Sequence, residues 1–366
     1  MPTLRNLRLV ARAASVLVLS LTPALLSADS FEQTNLVSSV PGLAAVTDPN
    51  LINPWGMAFS ATSPFWVSDQ GTGVSTLYDG AGNITSLVVA IPGGNPTGQV
   101  FNSTTSFALP GGGGATNFIF DTLSGTIAAR STGATAVTVV VTPGAIYTGL
   151  ALASSGGSNY LYAADSTGQI RVFNSSYAPV ALAGNFTDPN AIPGYVPFNI
   201  QLIGSSLYVT YAQLGPGGAA LPGGYVDVFN TDGTFAQRLT TGGALEAPWG
   251  ITLAPSTFET FGGDLLIGNF GNGEIDAYTL AGVFAGTLDG ANGQPFVNHN
   301  LWALDFRTGG ANVNPNALYF TAGIDNQTEG LFGEIVDTPE PGSFILAGLG
   351  VFVLALARSR LGPEQA

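Results

Sequence analysis

The sequence predicts an all-β protein built as a six-bladed propeller, and three observations carry that expectation. The chain of 366 residues is 45% hydrophobic and only 9% charged, yet it holds 50 Gly and 23 Pro. An apolar chain so rich in turn residues implies many short strands joined by tight turns. A motif also recurs along it. Asn53-Pro54-Trp55-Gly56-Met57-Ala58-Phe59 is echoed by Ala247-Pro248-Trp249-Gly250-Ile251-Thr252-Leu253, more weakly at residues 147–152, 197–202 and 301–306, and faintly from Pro96. With the position of Trp55 as the mark, the marks fall at residues 55, 97, 148, 198, 249 and 302, mostly about 50 apart. That period, with several strands per unit, belongs to a propeller with one blade per mark.

The third observation is a shared grammar inside each unit. An alternating strand follows the mark. A second strand ends on a polar residue, as in 64–69, 160–165 and 264–269. A Gly-rich turn leads to a third strand (74–78, 169–173, 225–229, 274–278), and turns such as Asp79-Gly80 reverse the chain into an outer fourth. Alternation of apolar and polar positions is the period of a half-buried strand, so Asp227 and Asp276 read as solvated positions on their third strands. The last unit stops near Ile335, too soon for a fourth strand, while residues 31–40 precede the first mark without a blade of their own. Pairing the two closes the ring and removes two exposed sheet edges. The expected domain is residues 31–335.

Charge and composition exclude several function classes. From Asp29 to Asp337 four arginines stand against 21 acids, a formal charge of −17. Such a field repels phosphate backbones, and no basic stripe is present to neutralise one, so no nucleic-acid partner is expected. Cysteine is absent and there is one histidine, His299, which leaves no thiolate chemistry and no multi-His zinc site.

Both ends read as processing signals. Three arginines in residues 1–12, an apolar stretch over 13–26 and the small residues before Asp29 have the order of a secretory signal peptide, residues 1–28. At the other end Pro339-Glu340-Pro341 precedes 15 uncharged residues, Ser343 to Ala357, and then Arg358 and Arg360. As a helix that run spans roughly 22 Å, short of a hydrocarbon core of about 30 Å, and the arginines fit a cytoplasmic stop. The arrangement over residues 338–360 resembles the PEP-CTERM sorting signal. That resemblance implies export, a temporary hold in the inner membrane by a short transmembrane helix, and processing by an exosortase-type enzyme. The destination it implies is the cell surface or extracellular matrix. The alternative is a plain tail anchor.

The repeat grammar resembles the NHL-like and gluconolactonase-like six-bladed propellers. The runs at 263–271 and 318–324 look like a family of uncharacterised exported bacterial proteins, some with PEP-CTERM tails. The gluconolactonase-like resemblance implies Asn, Asp and Glu at the mouth of a central channel around Ca²⁺ or Zn²⁺. Residues beside strand ends that fit such a mouth are Asn53, Asp69, Asp165, Asn199, Asn269 and Asn300, whose hard oxygens suit Ca²⁺. The alternative is that Asp or Asn after a strand caps a turn, and units with Tyr211 or Ala322 at the same place favour it. No catalytic set emerges: there is no Gly-x-Ser-x-Gly elbow, and His299 reads as a loop residue. Trp55, Trp249 and Trp302 present either a flat platform for a sugar or, as the repeat favours, packing between blades. Arg171 is placed to pair with a carboxylate on the neighbouring strand.

Two functional readings follow. The first is a non-catalytic surface or matrix protein, without a cofactor, binding an extracellular polysaccharide or another surface protein. The second is a metal-dependent, lactonase-like hydrolase acting at the channel mouth. The missing catalytic set favours the first.

Overall fold

The computed structural model describes residues 30–338. They form six sheets arranged as blades around an axis, antiparallel but for the short strand Val46–Thr47, which runs parallel to Ser30–Ser38. Two single-turn 3₁₀ segments and one four-residue helical turn are the only helical structure among the described residues. Each mark sits on the innermost strand of a blade: Pro54–Ala58, Pro96–Phe101, Tyr147–Ser155, Val196–Ile203, Pro248–Leu253 and Leu301–Phe306. The sixth blade closes as the sequence requires. Strand Ser30–Ser38 pairs antiparallel with Leu331–Thr338, from Ser30 opposite Thr338 to Ser38 opposite Leu331. The first described strand is thereby fastened to the last.

Two blades depart from the common plan. Blade 2 carries a small extra hairpin, Ala108–Leu109 with Gly113–Ala115, inserted between its first and second strands, and Pro110, Gly111 and Gly112 form its tip. Blade 3 has three strands, Tyr147–Ser155, Ser158–Asp165 and Gln169–Asn174, with a single bridge from Phe173 to Pro179 where a fourth would run.

The core is divided into wedges between neighbouring sheets, because a blade is covered on both faces. In blade 4, Tyr225 and Phe229 pack toward blade 3, whereas Val226 and Val228 pack toward blade 5. The period of two therefore sorts side chains between two cores rather than between core and water. This corrects the reading of Asp227 and Asp276: both are fully buried. Asp227 accepts from Arg238, which also reaches Asp188 and lies over the Tyr225 ring. Asp276 accepts from Asn269 Nδ2 at 2.8 Å and Thr287 Oγ1 at 2.7 Å. A third strand is an interior strand here, so its polar positions need protein partners.

Around the axis the inner strands come close enough to need glycine after the mark. A β-carbon on Gly56 would collide with the Thr97 carbonyl of blade 2, one on Gly98 with the Leu150 amide of blade 3, and one on Gly250 with the Trp302 carbonyl of blade 6. In blade 4 Asn199 holds this position and donates to the Trp249 carbonyl at 2.9 Å. Gly98→Ala should accordingly destabilise the fold by about 1–3 kcal/mol, the usual cost of overpacking. Urea denaturation measures it; an unchanged midpoint would show that the inner strands have slack.

Candidate binding site at the channel mouth

Four of the six mark positions, Trp55, Phe198, Trp249 and Trp302, carry large aromatic side chains onto the axis, and these meet one another. Trp55 stacks on Trp302 with ring centroids 3.6 Å apart, Trp249 meets both edge-on at 6.2 and 5.7 Å, and Phe270 stacks on Trp302 at 4.4 Å. Phe198 packs against Trp55, Trp302 and Phe270. The tryptophans are buried, so packing is their first role, but the packing is across the axis rather than only between neighbouring sheets. Two indoles also bond: Trp249 Nε1 donates to the Thr148 carbonyl and Trp302 Nε1 to Asn53 Oδ1, each at 2.9 Å. The Trp55 indole N–H, equally buried, has no acceptor.

Above this cluster lies a cavity of about 540 Å³ on the face that carries the turns between second and third strands. Its lining follows the repeat. Mark residues Trp55, Thr148, Phe198 and Trp302 supply the floor, and Ile146 and Val196, two positions earlier, add to the wall. Gln70, Leu123, Ser166 and Phe270, each immediately after a second strand, complete the wall with Leu214 and the Gly-rich loop beyond it. No ionisable side chain is among its lining residues.

Gln327 reaches this cavity from a strained segment. Asp325, Asn326 and Gln327 have φ of 51°, 54° and 69°, three consecutive residues in the left-handed region. That conformation costs about 1–2 kcal/mol for most residues, less for Asp and Asn, so the strain falls mainly on Gln327. Asn53, itself at φ 45°, ties the segment down by donating to Gln327 Oε1 at 3.1 Å and Gln70 Oε1 at 2.7 Å. Asn95, Ala247 and Asn300 hold the same left-handed position before their marks, and Asn is tolerant of it.

The residues expected at a metal-binding mouth fall into two groups. Asn53 and Asn199 are on the axis side, bonded as described. Asp69, Asp165 and Asn269 end second strands and bond inside their own blades. Asp69 Oδ2 accepts from the Thr76 amide, Asp165 from the Ile146 and Thr167 amides and from Arg171 Nε at 2.6 Å, and Asn269 Oδ1 from the Glu246 amide. Asn300 is half-buried in the turn before blade 6, where its carbonyl accepts from the Gly323 amide, and His299 beside it is exposed. Among the described residues no three His, Cys, Asp or Glu side chains gather as a cation site requires. The mouth is lined one residue further along than the sequence suggested: Gln70 rather than Asp69, Ser166 rather than Asp165, Phe270 rather than Asn269. Gln327 carried no signal in the repeat.

Several buried carboxyls sit behind this surface. Burial pushes Asp121 up to about 7 against the pull of Thr97 Oγ1, which donates to it at 2.7 Å, and pushes Asp276 up to about 6. Asp69 is raised well above the usual range by burial, with the nearby charge of Asp48 adding to it. At Asp165 burial is outweighed by the amides of Thr167 and Ile146 and by Arg171, which hold it low.

Residues 337–360 match the PEP-CTERM protein-sorting motif. The expected signal peptide of residues 1–28, the expected transmembrane helix of 343–357 and the motif residues Pro339, Glu340, Pro341, Arg358 and Arg360 lie outside the described residues. Within the described residues no helix is long and apolar enough to cross a membrane. The chain is 34% identical over 329 residues to "Uncharacterized protein R648" of Acanthamoeba polyphaga mimivirus, covering 82% of this chain and 78% of that one. It is 31% identical to "Uncharacterized protein L690" of the same virus, covering 82% and 84%. A streptogramin B lyase structure superposes with a TM-score of 0.50 over 85% of this chain and 98% of that one, at 13% identity, a likeness of fold.

The raised carboxyls fix a pH dependence. A carboxyl whose folded pKa is raised above its unfolded value of about 3.9 stabilises the fold below that value and loses the contribution as pH rises through the folded pKa. For Asp121 the window runs from about pH 4 to about 7. The melting temperature should therefore be higher at pH 5 than at pH 8, and Asp121→Asn, a neutral mimic of the protonated acid, should gain stability at pH 8 but not at pH 5. Scanning calorimetry at the two pH values decides; a wild type more stable at pH 8 would contradict it.

Proposed function

The chain belongs to the family of the two mimivirus proteins just described, and we propose that it is an exported, membrane-sorted propeller that binds or scaffolds at the cell surface without catalysing a reaction. The PEP-CTERM match supports export and sorting through an exosortase-type enzyme. The observation that carries the non-catalytic reading is the chemistry of the aromatic-floored cavity on the axis. Its lining offers indole, phenyl, carboxamide and hydroxyl groups, but no carboxylate, imidazole or guanidinium. General acid–base catalysis needs a group that changes protonation within reach of the substrate, and metal activation of water needs anionic or imidazole ligands facing it. A lactonase at this mouth would have to draw those groups from positions already bonded within the blades.

The release route follows from the tail. The apolar run of 343–357 is short for a bilayer, so retention is temporary and suits processing near Pro339-Glu340-Pro341. In a host with an exosortase, the surface-located protein should lack everything beyond this motif. Mass spectrometry of the mature chain reads it, and an intact carboxyl end at Ala366 would reduce the tail to a plain anchor. In the same preparation, made without chelator, added Ca²⁺ or Zn²⁺ should leave lactone and ester hydrolysis at the uncatalysed rate. Metal-dependent turnover would overturn the non-catalytic reading.

A further inference from the structure

We propose that the cup at the channel mouth is a site for the end of a neutral glycan, an uncharged sugar unit that accepts a hydrogen bond from the Trp55 indole and meets the Gln327 carboxamide over the aromatic floor. The proposal rests on the binding reading above and names the ligand class.

The first ground is the unpaired donor. Trp55, Trp249 and Trp302 occupy one repeat position, and the indoles of the last two are bonded to acceptors from other blades. The Trp55 N–H alone of the three is buried without an acceptor, at 6% exposure, in a residue that lines the cavity. Buried donors are almost always paired, so an orphan beside a cavity marks where an outside acceptor is accommodated. The second ground is strain. Three left-handed residues in succession are kept only where the surroundings enforce them, and such segments concentrate at ligand sites. Here the strain holds Gln327 at the cavity with its oxygen engaged by Asn53, which leaves the NH₂ group as a second donor.

The third ground selects the ligand. A body of formal charge −17 repels an anionic polymer, and a cation would find no carboxylate at the lining. That leaves an uncharged molecule. Thr148, Ser166 and Gln327 among Phe198, Phe270 and Trp55 make a surface that is polar and aromatic by turns. A sugar, with hydroxyls at its edge and C–H groups on its faces, matches that mixture better than a hydrocarbon does. A volume of about 540 Å³ lies within the range of about 300–1,000 Å³ typical of small-molecule sites.

The test titrates the full-length protein with neutral gluco-, manno- and galacto-oligosaccharides of two to four units. Oligogalacturonate serves as the charged control and an uncharged aromatic ester as the apolar one. Tryptophan fluorescence and calorimetry report binding, and mass spectrometry of the probes reports any conversion. At least one neutral oligosaccharide should bind saturably and at least tenfold more tightly than oligogalacturonate. Trp55→Phe should weaken it roughly tenfold, about the value of one hydrogen bond. Because the smaller ring also gives up packing on Trp302 and lowers the melting temperature, binding is compared at a temperature where both proteins are fully folded. Gln327→Met, which keeps length and removes the amide, should weaken it as well. Failure of every neutral oligosaccharide to bind, binding indifferent to both variants, or preference for the aromatic ester would overturn the glycan site while leaving the binding reading intact. Cleavage of a bound oligosaccharide would instead overturn the non-catalytic reading itself.

Discussion

Everything in this propeller depends on how closely six inner strands approach one another around the axis. The residue after five of the six marks is glycine, or in blade 4 Asn199, which bonds the next strand, because a neighbouring backbone lies against it; only after Trp302 does a β-carbon, that of Ala303, find room. Once the strands are that close, the mark side chains converge on the same small volume. Trp55, Phe198, Trp249 and Trp302 fill it, joined by Phe270. The channel is consequently stopped from within, and what remains at one end is a cup with an aromatic floor. The fastening of Ser30–Ser38 onto the last blade keeps the ring closed around that cluster.

The chemistry of the cup is set by what the blades retain for themselves. The chain is strongly acidic, yet the carboxylates that end second strands fold back onto amides and arginines of their own blades. Those on third strands are enclosed between sheets, where burial raises them and partners such as Arg238 or Thr287 hold them. In four of the blades the next residue, Gln70, Leu123, Ser166 or Phe270, faces the cup instead. An acidic propeller whose aromatic-floored mouth carries no ionisable side chain is the result.

Much of the fold was legible in the sequence because the marks are spaced by a physical unit, one blade, and because the first strand had no other place to pair. The site was legible only in part. The position of the marks pointed to the axis, but the polar residues that end second strands are the conspicuous ones, and they turn inward to cap. Gln70, Ser166 and Phe270 beside them share no chemistry that a repeat would reveal. Asp227 and Asp276 were misread because alternation was taken to mean water on one face, whereas a blade has a neighbouring blade on both. Gln327 depends on a left-handed turn that no local pattern announces. The missing fourth strand of blade 3 leaves no trace in the spacing, since that unit is as long as its neighbours.

The most direct test of an axis sealed by aromatic side chains is the hydrogen exchange of the indole protons, followed by NMR with ¹⁵N-labelled tryptophan. The Trp249 and Trp302 protons, bonded inside the cluster, should persist far longer than that of Trp55, which is unbonded and borders the cavity. Rapid exchange of all three at similar rates would mean that water reaches the whole axis, and the sealed cup would have to be given up for an open channel.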